Sequence, residues 1–177
     1  MRGTIAAIGL AVLAMITAGC DSGDSSAAQK TTPPTAATPF SPAPTSTWAA
    51  EALTAYRNMW AAVARAQLTS DYQSPDIPRY AADQALGYFV VTTKDNHSKG
   101  IVSKGEPIIA PRVTRETTES VTVADCVDDS TWLNYSATTG KPIDDVPGGH
   151  HRGEAVVTKS PDGWKVTHLT LEGVGTC

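Results

Sequence analysis

From residue 46 to about residue 70, apolar side chains recur every three or four positions, as they do on one face of an α-helix. Either Ser46 or Thr47 is suited to cap such a helix, and Glu51 is favourable near its N-terminus. The pattern therefore predicts a first helix that ends near residues 68–71. The residues that share its apolar face are Leu53, Tyr56, Trp60, Val63 and Ala64.

A second stretch of helical spacing follows, with Pro78 placed for a first turn and Asp76 as a cap before it. Gly100 is a suitable residue at which to end it. We predict a single second helix between these points. Its apolar residues are Tyr80, Ala81, Ala85, Leu86, Phe89 and Val90.

After Gly100 the pattern changes from helical to alternating, and Thr and Val become frequent, as is typical of strands. The sequence Pro161-Asp162-Gly163 indicates a tight hairpin turn between two of the strands. Two helices followed by antiparallel strands predict an α+β domain over residues 47–177, with the helices covering one face of the sheet. The predicted strands cover residues 112–120, 121–127, 131–136, 154–159 and 164–171.

Residues 1–19 have the composition of a signal peptide, with Arg2 before an apolar run and the small residues Ala18 and Gly19 at its end. The stretch Ile16-Thr17-Ala18-Gly19-Cys20 resembles the lipobox of bacterial lipoproteins, although Thr17 stands where that motif prefers a larger aliphatic residue. The resemblance implies cleavage before Cys20 and lipidation, palmitate included, of its thiol and new amino group. The alternative is an ordinary secretory signal with a chance cysteine.

Residues 20–46 are rich in Ser, Thr, Ala and Pro, a composition that cannot bury enough apolar surface to fold. We interpret them as a tether between the lipid and the folded domain. The formal charge of −4 becomes −5 once Arg2 is removed, and there is no cluster of Lys or Arg. This excludes nucleic acid as an expected partner, because its binding needs a basic surface. The expected membrane contact is the lipid anchor, on the extracytoplasmic face of the cell membrane.

Several short motifs spread over residues 47–177 make the domain similar to NTF2-like (SnoaL-like, cystatin-like) proteins, and in particular to secreted actinobacterial proteins of unassigned function. The resemblance implies a cone, in which helices lie across a strongly curved antiparallel sheet. That superfamily contains enzymes, binding proteins and secretion components, so the fold alone does not decide a function. The motifs are Gly105-Glu106-Pro107, Pro111-Arg112-Val113-Thr114, Asp125-Cys126-Val127-Asp128-Asp129-Ser130, Trp132, Gly163-Trp164-Lys165-Val166 and Gly175-Thr176-Cys177.

Once Cys20 carries lipid, Cys126 and Cys177 remain as an even pair in an oxidising compartment. We predict a disulfide between them. In the chain-entropy model, closing the loop between residues 126 and 177 stabilises the fold by roughly 3–4 kcal/mol. A reactive thiol or a metal ligand at Cys126 is the alternative, but no Cys or His flanks it at ligand spacing.

Asp125 and His168 are the candidate catalytic residues. Strand alternation places Asp125 on the same face as three valines, where a desolvated carboxylate can act as an acid or base, unless it caps a turn beside Asp128 and Asp129. His168 shares a face with Trp164 by simple alternation, but Leu169 and Leu171 then face outward. Either a bulge changes the alternation or His168 is exposed.

The aromatic residues either fill the core or line an open mouth of the cone. The candidates for such a pocket are Tyr56, Trp60, Phe89, Trp132, Tyr135 and Trp164. The acidic residues Asp125, Asp128 and Asp129 lack the spacing of a calcium loop, and His150 and His151 are expected in a mobile surface loop. The sequence predicts neither a cofactor nor a metal.

Two functional hypotheses follow. The first is a non-enzymatic domain that binds an apolar small molecule or another envelope protein, or that takes part in a secretion or conjugation assembly. The second is a small isomerase, dehydratase or hydrolase that uses Asp125, with or without His168.

The lipid anchor is testable by phase separation in a cloud-point detergent. We expect the native protein to enter the detergent phase, because its acyl chains are apolar. Cys20→Ser should enter the aqueous phase, because the substitution removes the residue that carries those chains. Intact-mass spectrometry checks the acyl groups directly. An unmodified native protein in the culture medium would overturn the anchor.

Overall fold

The computed structural model describes residues 46–143 and 146–177. The predicted signal peptide, Cys20 and nearly all of the tether lie outside these residues. The described elements are α1 (Thr47–Gln67), α2 (Ile77–Tyr80), α3 (Asp83–Lys99), β1 (Ile101–Lys104), β2 (Arg112–Glu116), β3 (Ser120–Asp128), β4 (Leu133–Ser136), β5 (His150–Ser160) and β6 (Gly163–Leu171).

The first helix is confirmed. The Ser46 hydroxyl accepts a hydrogen bond from the Ala49 amide at 3.2 Å, so Ser46 is the cap and Thr47 is the first helical residue. The helix ends at Gln67, and its buried face includes Tyr56 and Trp60. The helical spacing of the apolar residues therefore placed both the helix and its buried face.

The prediction of one continuous second helix was wrong, because the chain divides there into α2 and α3. Ala81 has an extended backbone, with φ −125° and ψ 149°, and pairs in parallel with Val166 on β6. The Ala82 amide then donates to the Val166 carbonyl at 2.9 Å. Two residues thus leave the helical conformation in order to bond to the sheet edge. Gly100 ends α3 in the left-handed conformation, with φ 64°, as its position predicted.

The main sheet is antiparallel, with the strand order β2-β3-β5-β6, and β1 and β4 form a separate two-stranded ribbon. The α+β class is confirmed, but β1 was not predicted and β5 begins earlier than expected. His150 and His151 pair with Asp128 and Val127 on β3 instead of lying in a loop. Their expected place in a mobile loop was therefore wrong.

The helices cover one face of the sheet. Val121, Val123 and Val127 are buried on this inner face, and Cys126 lies on the outer face. A bulge in β6 changes the alternation there, because Val156 pairs with His168 while the next residue, Val157, pairs with Val166. Leu169 is consequently buried and His168 exposed.

The predicted disulfide is present between Cys126 and Cys177, whose Cα atoms are 5.8 Å apart. It joins the segment after β6 to the outer face of β3. None of the helices in the described ranges combines the length and apolar character needed to cross a membrane.

A side chain completes the edge of β6. The Gln84 amide oxygen accepts from the Leu169 amide at 2.8 Å, and its nitrogen donates to the Leu169 carbonyl at 3.2 Å. The side chain thus bonds to both backbone groups of one residue, as a neighbouring strand would. It blocks a position where another chain would otherwise pair.

We expect Gln84→Leu to lower the free energy of unfolding by about 1 kcal/mol, since it removes both hydrogen bonds from a partly exposed edge. Urea denaturation measures this. The matched control is Gln73→Leu, an exposed glutamine whose side chain makes no hydrogen bond within the described residues; it should change stability by less than about 0.5 kcal/mol. Equal effects of the two substitutions would contradict the role given to Gln84.

Candidate functional site

The Asp125 carboxylate lies inside the domain, on the inner face of β3 among the valines. Only 6% of the residue is exposed. One carboxylate oxygen accepts from the Tyr56 hydroxyl at 3.0 Å, and the other accepts from the Ala110 amide at 2.7 Å. None of the ion pairs within residues 46–143 and 146–177 involves Asp125. Hydrogen bonds alone therefore compensate the burial of this group.

Tyr56 is held as a neutral hydrogen-bond donor. Burial raises the pKa of its hydroxyl far above the ordinary value, and the nearby Asp125 carboxylate raises it further. The Trp60 indole lowers the pKa of Tyr56 to a smaller extent, although its N–H does not reach the geometry of a hydrogen bond. A tyrosine that keeps its proton in this way links α1 to β3.

A cluster of aromatic rings lies within the core. Trp60 contacts the rings of Tyr56, Phe89 and Trp132 edge-to-face, with centroid distances of 6.4, 5.5 and 6.3 Å. Such pairs add a modest stabilisation to the burial of apolar area. Helix α1 supplies Trp60 and α3 supplies Phe89, so this cluster joins the two long helices to the loop that carries Trp132.

A cavity of about 100 Å³ remains beside these rings, and we call it the mouth cavity. Most of its lining is apolar, and we call its polar lining residues Gln67, Thr92, Asp129 and His151 the rim. The cavity does not include Asp125. Its lining residues are Trp60, Val63, Gln67, Tyr88, Phe89, Thr92, Val127, Asp129, Trp132, His151 and Leu171.

Two lining residues carry a buried donor that has no partner. The indole nitrogens of Trp60 and Trp132 are enclosed and make no hydrogen bond to any residue that the structure describes. A buried N–H without an acceptor costs about 1–3 kcal/mol.

The polar residues of the rim hold neighbouring segments in place. One Asp129 oxygen accepts from the Gly149 amide at 2.6 Å and lies 3.3 Å from Nε2 of His151. The other ring nitrogen of His151 is 2.8 Å from the Glu172 carbonyl, to which it donates. A side chain at Gly148 would overlap Asp129, so this close approach requires glycine.

The remaining residues selected from the sequence lie elsewhere. His168 is exposed on the outer face and does not meet Asp125. Trp164 is buried near the start of β6, where its N–H donates to Glu51 at 2.9 Å. Tyr135 is half-buried in β4, with the Lys104 ammonium 4.5 Å from its ring centre. Of the six aromatic candidates, Trp60, Phe89 and Trp132 line the mouth cavity.

Sequence reasoning did not identify several of the residues that line the mouth cavity. Tyr88 and Thr92 are one helical turn apart on α3, which is a signal that the spacing contained. His151 and Leu171 were not selected, since the first was assigned to a loop and the alternation near the second is interrupted by the bulge.

No family model matches the chain, and no curated protein matches it. Solved structures with a similar fold include the intermembrane-space region of the chloroplast protein ARC6, with 14% identity, a TM-score of 0.50 and coverage of 68% of this chain and 92% of that one. A protein from Novosphingobium aromaticivorans, whose assignment as an aromatic ring hydroxylase is provisional, has 14% identity, a TM-score of 0.50 and coverage of 70% and 90%. An NTF2-like protein from Cytophaga hutchinsonii has 10% identity, a TM-score of 0.47 and coverage of 69% and 94%.

The domain shares its fold with the first two of these structures. At these identities the similarity concerns the fold alone, so the function has to be argued from the residues of this chain.

Because Tyr56 is buried beside Asp125, we expect the free energy of unfolding to fall at alkaline pH. Above about pH 10 a tyrosine in the unfolded chain loses its proton while buried Tyr56 keeps it, so the free energy of unfolding should fall by about 1.4 kcal/mol per pH unit from this group. Tyr56→Phe should abolish this slope. At neutral pH it should cost about 1–3 kcal/mol, because Asp125 loses a donor.

Denaturant unfolding between pH 8 and pH 12 measures the effect. Tyr88→Phe is the control, since Tyr88 is 45% exposed, and it should keep the native slope. If the native protein and Tyr56→Phe have the same slope, Tyr56 does not retain its proton in the folded state.

Proposed function

We propose that this protein is a non-enzymatic binding domain, held on the outer face of the cell membrane by lipid on Cys20, and that its mouth cavity holds an apolar part of a small molecule. The observation that carries the proposal is a mostly apolar cavity beside the aromatic cluster, lined by two tryptophans whose enclosed indole N–H groups have no partner among the described residues.

The geometry of Asp125 favours binding over catalysis. A general acid or base has to reach its substrate directly or through one water. Both oxygens of Asp125 already accept hydrogen bonds from Tyr56 and Ala110, and the ring of Tyr56 lies with the packed aromatic cluster. His168, the second member of the hypothetical catalytic pair, is exposed on the outer face.

The size of the mouth cavity limits what enters it. An enclosed apolar cavity of about 150 Å³ accommodates benzene. A cavity of about 100 Å³ that is partly open therefore suits the edge of one ring or a short branched aliphatic group, with the rest of the ligand outside. Aromatic walls favour edge-to-face contacts with such a ring, and a carbonyl or ether oxygen on the ligand matches a free indole N–H.

The predicted tether fits a binding role at the membrane. The composition of residues 20–46 is that of a linker, which would let the domain face a ligand that diffuses in the envelope. Another envelope protein that inserts one apolar side chain into the same cavity is the alternative partner.

A substitution at the rim tests the site. We expect Thr92→Trp to place an indole in the mouth and to weaken binding of acetophenone, a ring with one acceptor, by at least about tenfold, which corresponds to 1.4 kcal/mol. Ligand-observed NMR with the isolated domain measures the affinity, and toluene, which lacks the acceptor, should bind more weakly than acetophenone.

The matched control is Val91→Trp. Val91 is the preceding residue on α3, is 68% exposed and does not line the mouth cavity. The Val91→Trp variant should bind acetophenone with the affinity of the native domain. Equal binding by both tryptophan variants, or no binding of either compound by the native domain, would contradict the proposal.

A further inference from the structure

The outer face of the sheet carries a second chemical feature, at the disulfide. Cys126 is half-buried there, and Cys177 is exposed to solvent. Cys177 is therefore the more exposed of the two bonded residues. A disulfide with an accessible sulfur is open to attack by an external thiolate.

A histidine and a carboxylate lie close to the Cys126 sulfur. His150 lies opposite Asp128 in the β3–β5 register, two pairs along from the Cys126–Arg152 pair. Nδ1 of His150 is 3.7 Å from the Cys126 sulfur, and Nε2 is 3.8 Å from an Asp128 oxygen. The order carboxylate, imidazole, sulfur is the one in which a histidine gives a proton to a sulfur and is stabilised as a cation.

Asp128 is fixed as the anionic member of this group. Its other oxygen accepts from the Ser130 amide at 2.9 Å, and hydrogen bonds from Ser130 hold the pKa of the carboxyl below its ordinary value, with His150 contributing less. The carboxylate is therefore charged throughout the range in which an imidazole titrates.

Charged side chains surround the disulfide along a groove of about 260 Å³. Arg152 lies directly opposite Cys126 in the register, and Arg112 is on the neighbouring strand beside Ala124. Neither arginine is in an ion pair with a described residue. Nearby cations stabilise a thiolate, and Glu154 and Glu172 in the same groove oppose them.

The segment that carries Cys177 has other attachments to β5. The Glu172 amide donates to the Arg152 carbonyl at 2.9 Å, the Gly175 amide donates to the His150 carbonyl at 2.8 Å, and the Thr176 hydroxyl accepts from the Arg152 amide at 2.9 Å. Opening the disulfide therefore leaves the segment held beside the strand, and the core lies on the opposite face.

We propose that Cys126–Cys177 is an exchange-active disulfide that takes up a low-molecular-weight thiol, with His150 as its general acid. The thiolate attacks the Cys177 sulfur and forms a mixed disulfide there. The Cys126–Cys177 bond breaks, its electron pair stays on the Cys126 sulfur, and His150 protonates that sulfur. In the reverse step His150 takes the proton back, the Cys126 thiolate attacks the Cys177 sulfur of the mixed disulfide, and the bound thiol leaves as its thiolate, so the net oxidation state is unchanged.

The rate of mixed-disulfide formation with glutathione tests this proposal. Mass spectrometry of acid-quenched samples follows the native domain, His150→Asn and, as the control, His168→Asn, another exposed histidine on the outer face. We expect His150→Asn to react at least about tenfold more slowly at pH 6, because the replacement removes the group that protonates the leaving sulfur. The control should react like the native domain.

A second measurement does not depend on opening the bond. In Cys177→Ser the Cys126 thiol is free, and the pH dependence of its alkylation by iodoacetamide should place its pKa at least about one unit below the usual value of about 8.5. Adding His150→Asn should raise it again. Thermal melting identifies any variant that does not fold.

Two results would overturn the proposal. One is a native domain that reacts with glutathione no faster than oxidised glutathione does under the same conditions. The other is an unchanged pKa of Cys126 when His150 is replaced in the Cys177→Ser background. Neither result bears on the mouth cavity, which lies on the inner side of the sheet.

Discussion

A carboxylate lies inside the core of this domain and forms no ion pair with the residues that the structure describes, and the surrounding elements supply it with hydrogen bonds. Burying an ionised group is costly unless hydrogen bonds replace its water. Asp125 obtains them from the Tyr56 hydroxyl on α1 and from the Ala110 amide before β2. The same bonds fix the first helix across the sheet and place Tyr56 in the aromatic cluster. These hydrogen bonds therefore fix one arrangement of an otherwise apolar core. The mouth cavity lies apart from them, beside Trp60, Phe89 and Trp132.

The two faces of the sheet have different chemistry because β3 alternates strictly. Its inner positions hold valines and Asp125, whereas Cys126 and Asp128 lie on the outer face with His150 and Arg152 opposite them. An apolar ligand in the mouth cavity and a thiol at the disulfide would thus contact separate surfaces.

Local patterns predicted much of this structure. The spacing around Tyr56 and Trp60 placed α1, and the alternation in β3 put Asp125 inside, because both depend on neighbouring residues only. The break at Ala81 was not visible, since alanine favours helix and the pairing partner, Val166, is distant in the chain. The position of His168 depended on a bulge, and a bulge changes which residues share a face. The mouth cavity combines residues from α1, α3 and three strands, so no local pattern identifies it.

The central claim is that Asp125 is a structural group and that binding takes place in the mouth cavity. The most direct measurement is the affinity of Asp125→Asn for acetophenone, determined together with its thermal stability. The account predicts a lower melting temperature, because the hydrogen bonding of a buried group is altered, with an affinity within about twofold of the native value, or 0.4 kcal/mol. A folded Asp125→Asn variant that no longer binds the compound would contradict it.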